Sequence, residues 1–235
     1  MVKLGNFLFR YRNVLFPLFY VLLFIPSMPL IRAQWFMIAA GFIVALAGQT
    51  IRVMTIGLKY IIRGGSKRRV FARDLVTDGM FSHCRNPLYV GNIILLVGLG
   101  IMANSVLFAI AVLPLFLITY MAIVRAEEAY LLDKFGDAYR EYMHEVNRWV
   151  PDLRGIVETF RSMSFHWKRV IIREYNTSYI WMTGAVLIVM VKLARMPDDS
   201  LFHQLLPCFI LTLIVLLTLY FTVRYLKKSK RLRDT

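Results

Sequence analysis

Residues Arg73 to Asn92 read R-D-L-V-T-D-G-M-F-S-H-C-R-N-P-L-Y-V-G-N, a polar run between two hydrophobic stretches. Asp78-Gly79 signals a turn. Arg85-Asn86-Pro87 opens the next apolar run, and proline suits the first turn of a helix. Arg85 brings donors for an anion, Tyr89 a phenol, and Gly91 room for close approach. A second group, Glu127-Glu128, follows another apolar run. Carboxylates there hold an ammonium or other cation, or else form a solvated helix face paired with Arg125 or Lys134. Arg52 lies inside a third apolar run, one turn after Gln49. An ionisable residue at that depth is costly and marks function, or it snorkels to the headgroups. Tyr139, Tyr142 and Val146 share one face of a short helix, which serves packing or presents rings to a cation. His83, His144, His166 and His203 lack metal-ligand spacing among themselves or with Cys84. No nucleophile elbow, phosphate loop or dinucleotide fingerprint occurs. The chemistry on offer is ion recognition and proton transfer without a metal.

These residues need elements to hold them, and composition says where those stand. The 235 residues are 58% hydrophobic and 18% charged, against about 25% charged in soluble domains. Mean hydropathy is +0.58. An integral membrane protein is expected. The formal charge is +15, but the basic residues flank apolar spans, which points to lipid headgroups rather than nucleic acid. Six spans near the ~20 residues a bilayer needs are predicted. They are Val14 to Ile31, Trp35 to Leu58, Leu88 to Ala103, Val106 to Val124, Ser178 to Leu193 and Leu201 to Leu226. The loop after Lys59 is basic, with Gly64-Gly65 and Lys67-Arg68-Arg69. Arg125 to Phe135 continues as an amphipathic helix that Gly136 stops, and Asp137 is expected to cap the next one. Asp152 to Glu174 has the apolar spacing of a helix lying in the interface. Of 29 Lys and Arg, only Arg32, Lys192 and Arg195 fall in turns on the outer side, so both termini are expected in the cytoplasm. That topology separates Cys84 from Cys208, which argues against a disulfide. The first apolar run lacks the small-residue site of a cleaved signal peptide. The fold expected is all-α: a polytopic membrane bundle of about six helices with a cytoplasmic loop and amphipathic helices.

The chain resembles the isoprenylcysteine carboxyl methyltransferase superfamily, which includes phospholipid methyltransferases. The residues that carry the likeness are Gly48 to Arg52, Leu75 to Phe81, Arg85-Asn86-Pro87-Leu88-Tyr89-Val90-Gly91, Glu127-Glu128, Phe135-Gly136-x-x-Tyr139-x-x-Tyr142, and Val146-x-Arg148-x-Val150-Pro151. Their order and spacing together are specific. The resemblance implies a membrane enzyme using S-adenosylmethionine. It implies cofactor contacts at Arg73, Asp74, Leu75, Val76, Phe81, Asn86, Pro87, Leu88 and Tyr89, with Glu127 taking the cofactor's amino group. Glu128, Tyr89 and Arg52 are the catalytic candidates, with Glu128, Tyr89 or water removing an acceptor proton. Methyl transfer would be in line, with the sulfonium charge lost on the way. The acceptor is a lipophile entering from the bilayer: a phospholipid amine, a lipid carboxylate or a small thiol. Two residues depart from the family pattern. Asn86 stands where the family has His, and Ile123 where carboxyl methyltransferases carry a substrate-binding Arg. Sterol reductases, which use NADPH, resemble the same superfamily but carry an acid where this chain has Asn92. A reductase and a non-catalytic scaffold therefore stay open beside the methyltransferase. The expected division is 1–34 for the basic segment and first span, and 35–151 for the methyltransferase core. The interfacial helix takes 152–177, and the last spans and basic tail take 178–235. Those last spans offer a substrate chamber or a homodimer surface.

Overall fold

The structure is a computed structural model, which describes residues 1–59, 72 and 74–232. Eight helices follow one another, with no named strand among the described residues: α1 Val2–Val21, α2 Gln34–Leu58, α3 Pro87–Ala103, α4 Leu113–Phe135, α5 Asp137–Glu145, α6 Ile156–Ser162, α7 Trp167–Leu193 and α8 Ser200–Lys228. Five stretches are long and apolar enough to cross a membrane: Val2–Phe24, Gln34–Leu58, Phe108–Phe135, α7 and α8. The apolar α3 is shorter, at 17 residues. The chain is thus a polytopic helical membrane bundle.

The first span lies earlier than its expected bounds. Helix α1 starts at Val2 and holds Pro17, and a 3-10 turn over Leu22–Phe24 ends it. Ile25 is extended ahead of Pro26, as residues before proline prefer. Lys3, Arg10 and Arg12 do not interrupt the helix, because cationic stems snorkel. A π-helical turn, Phe108–Val112, leads into α4 beside Pro114, whose missing N–H leaves a gap in the helix ladder. Gly136 takes φ 55 between α4 and α5, a backbone that favours glycine. Asp137 stands one place after this cap, in the first turn of α5, and pairs with Arg140 at 2.5 Å.

The expected interfacial helix is not one piece. Helix α6 has 7 residues, the chain breaks at Met163 to His166, and α7 then runs without interruption from Trp167 into the fifth span. The break is pinned to the end of α2. His166 N–H donates to the Gly57 carbonyl at 2.9 Å. The Phe165 ring lies where a Cβ on Gly57 would be, 2.2 Å away. The consequence is that Glu174, expected on an interfacial face, is carried into the bundle.

Helices α2 and α3 pack along a seam of small residues. A Cβ on Gly98 would lie 2.3 Å from Ala45 N, and one on Gly48 would lie 2.5 Å from Leu95 N. Small residues let backbones approach this closely in membranes. The core beside the seam holds Leu99, Met102, Phe108, Phe116 and Trp181. Helix α1 lies on α4, and α8 lies on α7 with no buried residue. At one end the turn after α1 joins the turn after α3, through Leu30 N–H to Asn104 Oδ1 at 3.1 Å and the Pro29–Ser105 bridge. The polar segments 74–86 and 136–166 gather at the other end.

Candidate functional site

The first two turns of α3 stand among three buried charged groups. Pro87 starts the helix and brings Asn86, Leu88, Tyr89 and Asn92 to bear on them.

The first group is Glu128. It is 5% exposed and takes Arg85 Nε at 3.2 Å, Arg148 Nε at 3.1 Å and Arg148 Nη2 at 2.7 Å. The Asn86 amide donates to it at 3.5 Å and to the Arg148 carbonyl at 3.4 Å. Arg85 also donates to the carbonyls of Met143 and Val146, at 2.8 and 2.9 Å. This staples the 79–86 turn to the end of α5. Around the staple, Tyr142 donates to the Phe81 carbonyl at 2.6 Å, and His83 Nδ1 meets the Asp152 carbonyl at 2.6 Å. Cys84 is buried in the same turn, and burial pushes its thiol pKa up, which keeps it protonated.

The second group is Glu127, also 5% exposed. Adjacent helix residues point about 100° apart, so it points away from Arg85 and Arg148, and it accepts from the Tyr89 phenol at 2.8 Å. Neither carboxylate lies on a solvated face. Lys134, a partner considered from the sequence, instead donates to the Ala72 carbonyl.

The third group is Arg52 with Glu174, which is 2% exposed. Arg52 Nε and Nη2 reach the two Glu174 oxygens at 2.6 and 2.8 Å. Nη2 also donates to Thr177 at 3.3 Å, and Nη1 to Asn92 at 2.5 Å and the Leu88 carbonyl at 3.3 Å. Gln49 donates to Glu174 at 3.3 Å. A guanidinium has five N–H donors, and here each has an acceptor. Arg52 is therefore paired inside the bundle rather than snorkelling.

Of the predicted site residues, Asn86, Pro87, Leu88, Tyr89, Arg52, Glu127 and Glu128 thus come together. Leu75 packs on the separate Leu131, Tyr139 and Tyr142 cluster, Val76 is half-buried, and Asp74 is exposed. Phe81 is buried beneath α5. Arg73 lies outside the described residues, as do Gly64-Gly65 and Lys67-Arg68-Arg69. Sequence reasoning missed Glu174. The available signal was Arg52 as the charged residue of one apolar helix and Glu174 as the acid of another. Among the described residues, no three His, Cys, Asp or Glu gather as a metal site would require.

Beside Arg52 a cavity of about 500 Å³ opens between α1, α3, α4 and α7. Tyr120 lines it, and its ring lies 5.5 Å from that of Tyr89. The cavity and the Glu127 group thus share one wall.

Comparison with known proteins matches the same region. A family described as phospholipid methyltransferase matches residues 36–138. The chain is 34% identical to a nickel-cobalt-cadmium resistance protein of Alcaligenes xylosoxydans xylosoxydans, over 52% of this chain and 56% of that protein. It is 35% identical to a cobalt-zinc-cadmium resistance protein of Cupriavidus metallidurans, over 34% of this chain and 36% of that one. It is 36% identical to protein-S-isoprenylcysteine O-methyltransferase of Schizosaccharomyces pombe, over 33% of each. The match spans about half the length of the first of these relatives and about a third of the other two. No solved structure matches the chain. The matched region carries the residues around all three buried groups except Met143, Val146, Arg148, Glu174 and Thr177, and over that region the chain is similar to the isoprenylcysteine carboxyl and phospholipid methyltransferases.

Proposed function

We propose that this protein is an integral membrane methyltransferase that moves a methyl group from S-adenosylmethionine to a lipophilic acceptor. The observation that carries this reading is the buried Glu127 carboxylate, oriented by the Tyr89 phenol at the start of α3. The donor set fits the cofactor. Glu128 is occupied by two arginines, and we assign the ammonium to the buried Glu127 carboxylate, which accepts from the Tyr89 phenol. When bound, the cofactor supplies an electrophilic methyl on a sulfonium centre. Glu127 would hold the ammonium, and Tyr89 would fix the carboxylate's direction. Glu128 we place in holding the 79–86 turn to the end of α5 rather than in taking a proton, since both its oxygens already accept from Arg85 and Arg148. Arg52, with its donors occupied, positions α2 against α3 and α7. Asn92, whose oxygen is bonded to Arg52, stands where the reductases carry an acid, which favours methyl transfer. The 35–151 segment would carry the donor site, while α1 and α7 shape the acceptor side.

Glu127→Gln keeps the size and removes the charge. A charge-assisted hydrogen bond contributes about 1.5–3 kcal/mol, so S-adenosylhomocysteine should bind roughly ten- to a hundredfold more weakly by calorimetry. Wild-type affinity in this variant would remove Glu127 from the site.

We also propose that the end bearing segments 74–86 and 136–166 faces the cytoplasm, together with both termini. The observation behind it is that, among the described residues, the Lys and Arg at the other end are Arg32, Lys192 and Arg195. Single cysteines at the exposed Asp198 and Ser229, in a Cys208→Ser background, should label from opposite sides of sealed vesicles. Labelling of both from one side would overturn this orientation.

A further inference from the structure

The cavity beside Arg52 has an unusual electrical character. Arg52 is the charged residue on its wall, and its charge is matched by Glu174. All five Arg52 donors are occupied, and both Glu174 oxygens accept from Arg52. An anionic head entering here finds no free guanidinium. A cationic head finds no free carboxylate. Either would lose its hydration without a counter-charge, which is strongly unfavourable in a low-dielectric site.

Neutral donors remain. Thr177 accepts from Arg52 through its oxygen and keeps its own O–H. Tyr120 brings a phenol to the same wall. Trp181 also lines the cavity, is 1% exposed, and its indole N–H has no acceptor among the described residues. A buried indole N–H normally finds a partner, so an orphan in a cavity wall points to a ligand that supplies one. Asn92 also lines the cavity, with its oxygen taken by Arg52, and the rest of the lining is aliphatic or aromatic, including Phe16, Leu95 and Phe116. At the mouth, Pro17, Val21 and Ile180 are exposed on the sides of α1 and α7 that face lipid. Tyr20 bridges that seam, donating to the Ile180 carbonyl at 3.3 Å.

We propose that this cavity binds an uncharged lipophile with a hydrogen-bond-accepting oxygen, a hydroxyl or carbonyl head, admitted from the bilayer between α1 and α7. Its volume, about 500 Å³, lies within the range that holds one drug-sized ligand. Calling that ligand the methyl acceptor rests on the methyltransferase reading; the binding does not. Phospholipid amines and lipid carboxylates are disfavoured as occupants.

The test uses the full chain in detergent with Trp181 as its single tryptophan, through Trp35→Phe, Trp149→Phe and Trp167→Phe. Three probes of one chain length are compared: an ω-bromo alkanol, the alkanoate and the alkylammonium. Bromine quenches indole fluorescence on contact. The alkanol should quench saturably, and each ionised probe should need at least about tenfold more. Thr177→Val should raise the alkanol concentration required by about three- to tenfold, the worth of one neutral hydrogen bond. An ionised probe saturating at the alkanol's concentration, or unsaturable quenching by all three, overturns the proposal. Calorimetry with S-adenosylhomocysteine on the same protein separates the two readings. Saturable alkanol binding without nucleoside binding sinks the methyltransferase and leaves the cavity's ligand class standing.

Discussion

Arg52→Met should destabilise the protein by about 3–5 kcal/mol, and adding Glu174→Leu should restore most of the loss. The single change strands the Glu174 carboxylate in the bundle with Gln49 as its remaining neutral donor. A buried charge without its partner costs several kcal/mol, whereas two apolar residues of similar volume in place of a buried pair are often neutral or better. Recovery should fall short by about 1 kcal/mol for each of Asn92 and Thr177, which lose their shared partner. Thermal unfolding in detergent, followed by circular dichroism, measures all three variants. A double variant as unstable as the summed singles would show that the pair is not coupled. Arg52 would then act through Asn92 and the Leu88 carbonyl alone.

The second large effect is expected at Glu128. Glu128→Gln removes the charge that faces Arg85 and Arg148. The Arg85 side chain is 8% exposed, while Arg148, at 34%, hydrates more readily. The expected loss is about 3 kcal/mol, most of it from Arg85. Hydrogen exchange should also rise in residues 139–152, because the staple between the 79–86 turn and α5 runs through this carboxylate. Glu127→Gln should leave both stability and exchange near wild type. Unchanged exchange in Glu128→Gln would mean that the Met143 and Val146 carbonyls hold Arg85 without help, and that Glu128 is free for other work.

The contrast shows what the sequence makes legible. Glu127 and Glu128 are adjacent, and helical geometry alone says that they face different ways. It does not say which faces arginine. That is settled by Arg85 and Arg148, which stand on either side of α5 in the chain and meet only where the 79–86 turn is stapled to the end of that helix. Tyr89, Asn86 and Pro87 were legible because a proline-started helix fixes their positions locally. Glu174 was not, since hydrophobic spacing made Asp152 to Glu174 an interfacial helix. The seat of Phe165 on Gly57 is a tertiary contact that periodicity does not contain. The first span slipped for a related reason. Hydropathy penalises Arg10 and Arg12, but a helix end at the headgroups tolerates them, so α1 begins a full three turns before Val14.

The glycine seam between α2 and α3 has a mechanical result. Backbones in van der Waals contact leave no side chains between them to shear, so the two helices make one stiff plank. The plank fixes the height of Arg52 against Leu88 and Asn92 and carries Tyr89 with it. It does not flex to widen the interior. Any breathing that lets a guest in from the lipid falls to the opposite side, where the Tyr20 hydroxyl ties α1 to α7. The molecule is thus asymmetric in compliance, with Arg52 and Tyr89 on the rigid half and the proposed entrance on the soft one.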